Sequence, residues 1–88
     1  MKIKSFRLTP RAEGDLKYWA EMDPKIYTKI KRLIESAMEN PATGIGKPER
    51  LLFELTGYWS RRITRQDRLV YTVVGSELLI IQARFHYE

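Results

Sequence analysis

The sequence predicts an α+β fold in the order β-α-α-β-β-β-β, an antiparallel sheet with an αα-hairpin on one face. Three observations predict it. Two stretches in the first half carry a 3.6-residue apolar period, each behind a capping residue followed by proline. The segment "NPATGIGKPE" holds two glycines and two prolines and reads as a loop. Beyond it the apolar period drops to two, in four short runs with hairpin-length breaks.

The elements follow in order. "KIKSF" alternates and reads as a short strand. Thr9-Pro10 starts the first helix, with Ala12, Leu16, Trp19 and Ala20 on one face. Asp23-Pro24 repeats that start signal. In the second helix Ile26, Ile30, Leu33, Ile34, Ala37 and Met38 form the apolar stripe, and Asn40-Pro41 ends it. The short "MDPK" link makes the two helices an αα-hairpin. "RLLFEL", "YWSRRIT", "RLVYTVV" and "LLIIQARF" are the strand-like runs.

Reading "GSE" as a three-residue loop pairs Val74 with Leu78, Thr72 with Ile80 and Arg68 with Arg84. Leu69, Tyr71, Val73, Leu79, Ile81, Ala83 and Phe85 then make the core face. Arg68, Arg84 and His86 gather at one end of the other face, an arrangement that a one-residue slip would undo.

Composition bounds the function. The 88 residues make one domain, residues 1–88, with 43% hydrophobic and 11% aromatic content, which suits a packed core. With no cysteine, disulfides and thiolate metal sites are excluded, as suits a reducing cytoplasm. The N-terminus lacks the apolar run of a signal peptide, and no stretch is long enough to span a membrane. A net charge of +5 points to a polyanionic partner, either nucleic acid or an acidic protein.

Four groups carry candidate chemistry: Glu49 after the glycine loop, Arg61 with Arg62, Arg68 with Arg84, and His86 with Tyr87. A base, several cations and an acid are the parts needed to cleave RNA through its own 2′-hydroxyl. No cluster of carboxylates or histidines in the sequence suggests a metal site, and no cofactor is expected. Each group has an ordinary alternative. A lone surface histidine is usually only that, Arg61-Arg62 can be a solvated strand face, and Glu49 can pair with a nearby lysine. Trp19 reads as core. Trp59, beside the arginines, reads either as a base-stacking platform or as edge packing.

Taken together, "GKPERL", "LTGYWSRRIT", "DRLVYTV" and "ARFHYE", preceded by "DPKIYTKIKRLIESAMENP", resemble the YoeB branch of the RelE superfamily. These are toxins of bacterial toxin–antitoxin pairs, and the likeness covers nearly the whole chain. It implies a curved antiparallel sheet under two helices and a ribosome-dependent mRNA endonuclease that cuts the transcript in the A site. It also implies roles for individual residues. Glu49 matches the general base, Arg68 the transition-state arginine, His86 the general acid and Tyr87 the substrate-orienting tyrosine. Arg62 matches a phosphate-holding arginine, and Lys47 adds charge beside it. Arg61, Arg84 and Trp59 are counted with the RNA-binding surface.

One departure is Leu52, which stands where close relatives carry a lysine; Arg50 is the nearest candidate to replace that charge. Glu88 extends the chain past the usual "HY" ending. The implied partners are an acidic Phd/YefM-type antitoxin, the 70S ribosome with its rRNA, mRNA, and a second copy of the chain in a homodimer. No membrane partner is implied. A gyrase-type inhibitor of the same fold, or a plain RNA- or ribosome-binding module, are the alternatives. The joint presence of Glu49, Arg68, His86 and Tyr87 argues against the gyrase-type inhibitor, and the binding module is separated from the enzyme by whether His86→Ala leaves binding intact but abolishes toxicity.

Overall fold

The computed structural model describes residues 3–86. Tyr87 and Glu88 lie outside the described residues. The order is β1 (Ser5–Leu8), α1 (Pro10–Met22), α2 (Pro24–Glu39), β2 (Glu49–Arg50), a single 3₁₀ turn (Phe53–Leu55), β3 (Trp59–Arg62), β4 (Arg68–Val74) and β5 (Glu77–Gln82). Among the described residues no helix is long and apolar enough to cross a membrane.

The helix starts behave as their sequences dictate. Thr9 Oγ1 accepts from the Ala12 amide at 3.1 Å and Asp23 Oδ1 from the Ile26 amide at 3.4 Å, each ahead of a proline at the first helical position. Asp23 also closes α1, its amide donating to the Trp19 carbonyl at 2.8 Å. The α2 stripe buries Ile30, Leu33, Ile34 and Ala37, and α1 buries Ala12 and Trp19. Ala20, expected on that same face, is exposed.

The five strands stand in the order β1-β5-β4-β3-β2. The sheet is mixed, which corrects the expected antiparallel one: β1 runs parallel to β5, with Phe6 opposite Leu78 and Leu8 opposite Ile80. The αα-hairpin carries the chain from one edge of the sheet to the other, so the first strand is left beside the last. The expected "RLLFEL" strand is also shorter. Only Glu49 and Arg50 pair with β3. Phe53 then turns to φ 59°, and its carbonyl accepts from the Thr56 amide at 3.0 Å and the Thr56 hydroxyl at 2.6 Å.

The β4–β5 register differs from the sequence expectation in two compensating ways. The loop is the two residues Gly75-Ser76, with Val74 opposite Glu77 and Val73 opposite Leu78. Gly75 takes φ 63°, the positive angle of a type II′ hairpin turn. Leu78 and Ile80 therefore face the core, where Leu79 and Ile81 were expected. A bulge then follows: Tyr71 pairs with Ile80 but Val70 with Gln82, which leaves Ile81 as the extra residue. The Ile81 carbonyl accepts from Thr9 Oγ1 at 2.9 Å. Past the bulge Leu69 and Ala83 are in the core as expected, whereas Phe85 is exposed.

Candidate functional site

Alternation along β3 divides its residues between two faces. Trp59 and Arg61 point to the helices, and Ser60 and Arg62 to the opposite, open face. Cross-strand partners extend that face. Glu49 lies opposite Ser60, Ser60 opposite Val70, and Val70 opposite Gln82, so one row crosses four strands. The next pair along is Arg62 opposite Arg68.

This face carries an open cleft of about 210 Å³ lined by Lys47, Pro48, Glu49, Ser60, Arg62, Arg68 and His86. The loop before β2 delivers Lys47 and Glu49. Its Gly44 and Gly46 take φ 112° and 82°, and a Cβ on Gly46 would stand 2.6 Å from Leu33 Cδ2 of α2. The Gly46 carbonyl accepts from the Arg62 amide at 2.7 Å, which ties the loop to β3. Lys47 itself has φ 51°, which turns the chain into β2.

Arg68 is held from the turn that precedes it. Its Nη1 donates to the carbonyls of Thr64 at 2.9 Å, Arg65 at 3.2 Å and Asp67 at 3.0 Å. Among the described residues the ion pairs are Arg7–Glu77 and Arg11–Asp15, both away from the cleft. Arg62 and Arg68, register partners across β3–β4 and outside those ion pairs, both line the cleft and give it positive charge. Among the described residues no three His, Asp or Glu side chains gather as metal ligands would.

His86 reaches the cleft on a pinned turn. Asp15 Oδ2 accepts from the Ala83 amide at 2.9 Å, and Trp19 Nε1 donates to the Ala83 carbonyl at 2.8 Å. The Phe85 amide donates to Asp67 Oδ1 at 2.7 Å, and its carbonyl accepts from the Arg68 amide at 3.0 Å. Sequence reasoning does not find Asp15, Asp67 or Gln82. The available signals were an amide interrupting the apolar run "LLIIQA" and an acid directly before "RLVY".

Three expected RNA-binding residues lie elsewhere. Arg61 is fully buried, at 0% exposure. Its Nε donates to the Tyr71 hydroxyl, Nη1 to Ser36 Oγ and the Ile45 carbonyl, and Nη2 to the carbonyls of Asn40 and Thr43, all at 2.7–2.8 Å. It pins the glycine loop from inside and is not a phosphate ligand. Trp59 packs against the core on the helix side of the sheet and is not a platform at the cleft. The Arg84 guanidinium stacks 3.4 Å from the Tyr18 ring centroid on α1, away from Arg68. Arg50 pairs with Trp59 across β2–β3, its guanidinium 6.0 Å from that ring, and is not among the residues that line the cleft.

Fold and cleft together define a small α+β protein with a cationic cleft on the open face of a mixed five-stranded sheet. Residues 8–87 match the family model described as "YoeB-like toxin of bacterial type II toxin-antitoxin system". Toxin YoeB of Streptomyces coelicolor is 47% identical over 83 residues, covering 92% of this chain and 99% of that protein. The YoeB dimer from Staphylococcus aureus superposes with a TM-score of 0.88 at 43% identity, covering 97% of this chain and 99% of that one. The matching chain of the YoeB–YefM complex from the same organism gives 0.86 at 40% identity, covering 99% and 100%. The chain belongs to the YoeB-like toxins of bacterial type II toxin–antitoxin systems.

Proposed function

We propose that this toxin is a ribosome-dependent mRNA endonuclease that cleaves in the A site by attack of the RNA's own 2′-hydroxyl. The observation that carries the reading is the convergence of Glu49 and His86, from opposite ends of the β region, on a cleft that also holds Arg62 and Arg68. Glu49 accepts the proton of the ribose 2′-OH, and the oxygen attacks the adjacent phosphorus. Arg62 and Arg68, with Lys47 at the rim, stabilise the negative charge that builds on the phosphorane. His86 gives its proton to the departing 5′ oxygen. The products are a 2′,3′-cyclic phosphate and a 5′-hydroxyl. Tyr87 is the proposed substrate-orienting residue, on its resemblance alone.

The experiment uses programmed ribosomes and an mRNA carrying a 2′-deoxy nucleotide at the cut position. The deoxy substrate should survive while the all-ribose control is cut, in the presence or absence of a chelator added after ribosome assembly. Cleavage of the deoxy substrate at the normal rate would end the proposal. His86→Ala and Arg68→Ala should each lower the single-turnover rate by about 10²–10⁴-fold, the range for losing an acid or a preorganised charge.

The partner follows the same reading. The S. aureus YoeB–YefM complex supports an antitoxin of the YefM type, the net charge of +5 favours an acidic segment that covers the cleft, and the S. aureus dimer supports self-association of two copies. The protein acts in the cytoplasm, where ribosomes and mRNA are found.

A further inference from the structure

We propose that Gln82, seconded by Asp67, is the positioning residue of His86: its buried side-chain amide holds the C-terminal turn over the cleft. The inference rests on the reading of His86 as the acid.

Gln82 is the far end of the row Glu49–Ser60–Val70–Gln82 and is 5% exposed. An apolar strand has little use for a buried amide unless that amide is satisfied. Here Nε2 faces three successive carbonyls, those of Arg84 at 3.0 Å, Phe85 at 3.5 Å and His86 at 3.2 Å. Three acceptors around one atom require it to be the NH₂ end of the amide. The turn they enclose is one the backbone would not choose unaided, because Phe85 sits at φ 66°, in the left-handed region that a side chain disfavours.

Division of labour among the supports singles out Gln82. Asp15 and Trp19 hold Ala83 to α1. Asp67 Oδ1 accepts from the Phe85 amide, and the Arg68 amide donates to the Phe85 carbonyl. Gln82 spans the turn as far as His86 itself, through the His86 carbonyl. The bulge at Ile81 makes this possible. Without it Gln82 would be out of phase with Val70, and its side chain would point toward the helices. The imidazole is therefore placed from the same row of the sheet that presents Glu49.

Gln82→Met keeps the volume and removes the donor; Gln82→Glu replaces it with a carboxylate that faces three carbonyl oxygens and cannot donate when ionised. The free protein is measured first, by NMR of the His86 imidazole and by exchange of the Phe85 amide. Both variants should move and broaden the His86 signals and speed Phe85 exchange, with the thermal midpoint within a few degrees of wild type. On ribosomes, the single-turnover rate should fall about 10–100-fold with KM changed less than about threefold, the pattern of a misplaced acid. Gln82→Glu should be the more impaired at neutral pH and recover toward wild type as its carboxyl is protonated and regains a donor. Should Gln82→Met not fold, Asp67→Ala tests the same clamp through the Phe85 amide. Unchanged His86 signals in a folded Gln82→Met protein overturn the proposal. Displaced His86 signals with unchanged cleavage overturn instead the role given to His86, and His86→Ala would then also retain activity.

Discussion

Arg61 and Tyr71 meet inside the core, the guanidinium Nε donating to the phenol oxygen at 2.8 Å across the β3–β4 ladder. The phenol in turn donates to the Pro41 carbonyl at 2.6 Å. The pair thus reaches through the core and fastens the loop that carries Lys47 and Glu49 into the cleft. A charge spent on positioning cannot also bind substrate, which separates Arg61 from its neighbour Arg62.

The first prediction separates these two arginines. Arg61→Ala would take a donor from the Tyr71 hydroxyl, from Ser36 Oγ, which keeps the Ile45 amide, and from the carbonyls of Asn40, Thr43 and Ile45. A buried acceptor left unsatisfied costs about 1–3 kcal/mol and the part-buried ones less, and with the lost packing of a fully buried side chain the loss should reach about 3 kcal/mol. Arg62→Ala, on an exposed site, should change stability by less than about 0.5 kcal/mol while lowering activity. Urea unfolding of both variants checks this. A fully stable Arg61→Ala protein would contradict the buried clamp.

Tyr71 makes alkaline stability a second test. Burial raises its pKa above the ordinary 10.0, and the hydrogen bond and charge of Arg61 pull it partway back. The folded state thus keeps the phenol proton to higher pH than the unfolded chain. This group's contribution is fully present below the unfolded value and is lost as pH rises from about 10 through the folded pKa. Tyr71→Phe should be less stable at neutral pH by about 1–3 kcal/mol, yet lose stability less steeply above pH 10. Denaturant midpoints from pH 8 to 11 give both numbers.

Glycine substitutions should divide by position. Gly46→Ala puts a methyl 2.6 Å from Leu33 Cδ2 at φ 82° and should cost about 1–3 kcal/mol. Because Gly46 adjoins Lys47, the same change should lower cleavage. Gly14 lies in the exposed interior of α1, and a Cβ there would meet nothing within 4 Å. Gly14→Ala should therefore stabilise by about 0.5–1 kcal/mol and leave cleavage unchanged. Paired melting curves and cleavage assays distinguish the two.

Association with the antitoxin should be steered by charge. The net charge is +5, and Lys47, Arg62 and Arg68 line the cleft. An acidic partner should therefore bind faster at low salt, and the combined Lys47→Gln, Arg62→Gln protein should bind more slowly with a shallower salt dependence. Stopped-flow association across a salt series measures both slopes. A rate that neither salt nor the double substitution alters would remove the electrostatic account.

Short-range signals made much of this protein legible in its sequence. Thr9-Pro10 and Asp23-Pro24 placed the two helix starts, the α2 stripe named the buried residues, and "RLVYTVV" spans β4 from Arg68 to Val74. The motifs "KPE", "SRRIT", "RLVY" and "RFHY" named the family and five residues of the cleft: Lys47, Glu49, Arg62, Arg68 and His86. These succeed because caps, periods and motifs are set by neighbours within a few residues. Tertiary structure decided the rest. β1 lies parallel to β5 because the helix hairpin returns the chain to the far edge, which no local pattern encodes. A one-residue difference in loop length and a bulge at Ile81 chose which residues of β5 face the core. Strand alternation puts neighbours such as Arg61 and Arg62 on opposite faces, although the sequence reading grouped the two. Which face is buried depends on the helices that cover it, and only their packing turned one arginine into a buried clamp and left its neighbour in the open cleft.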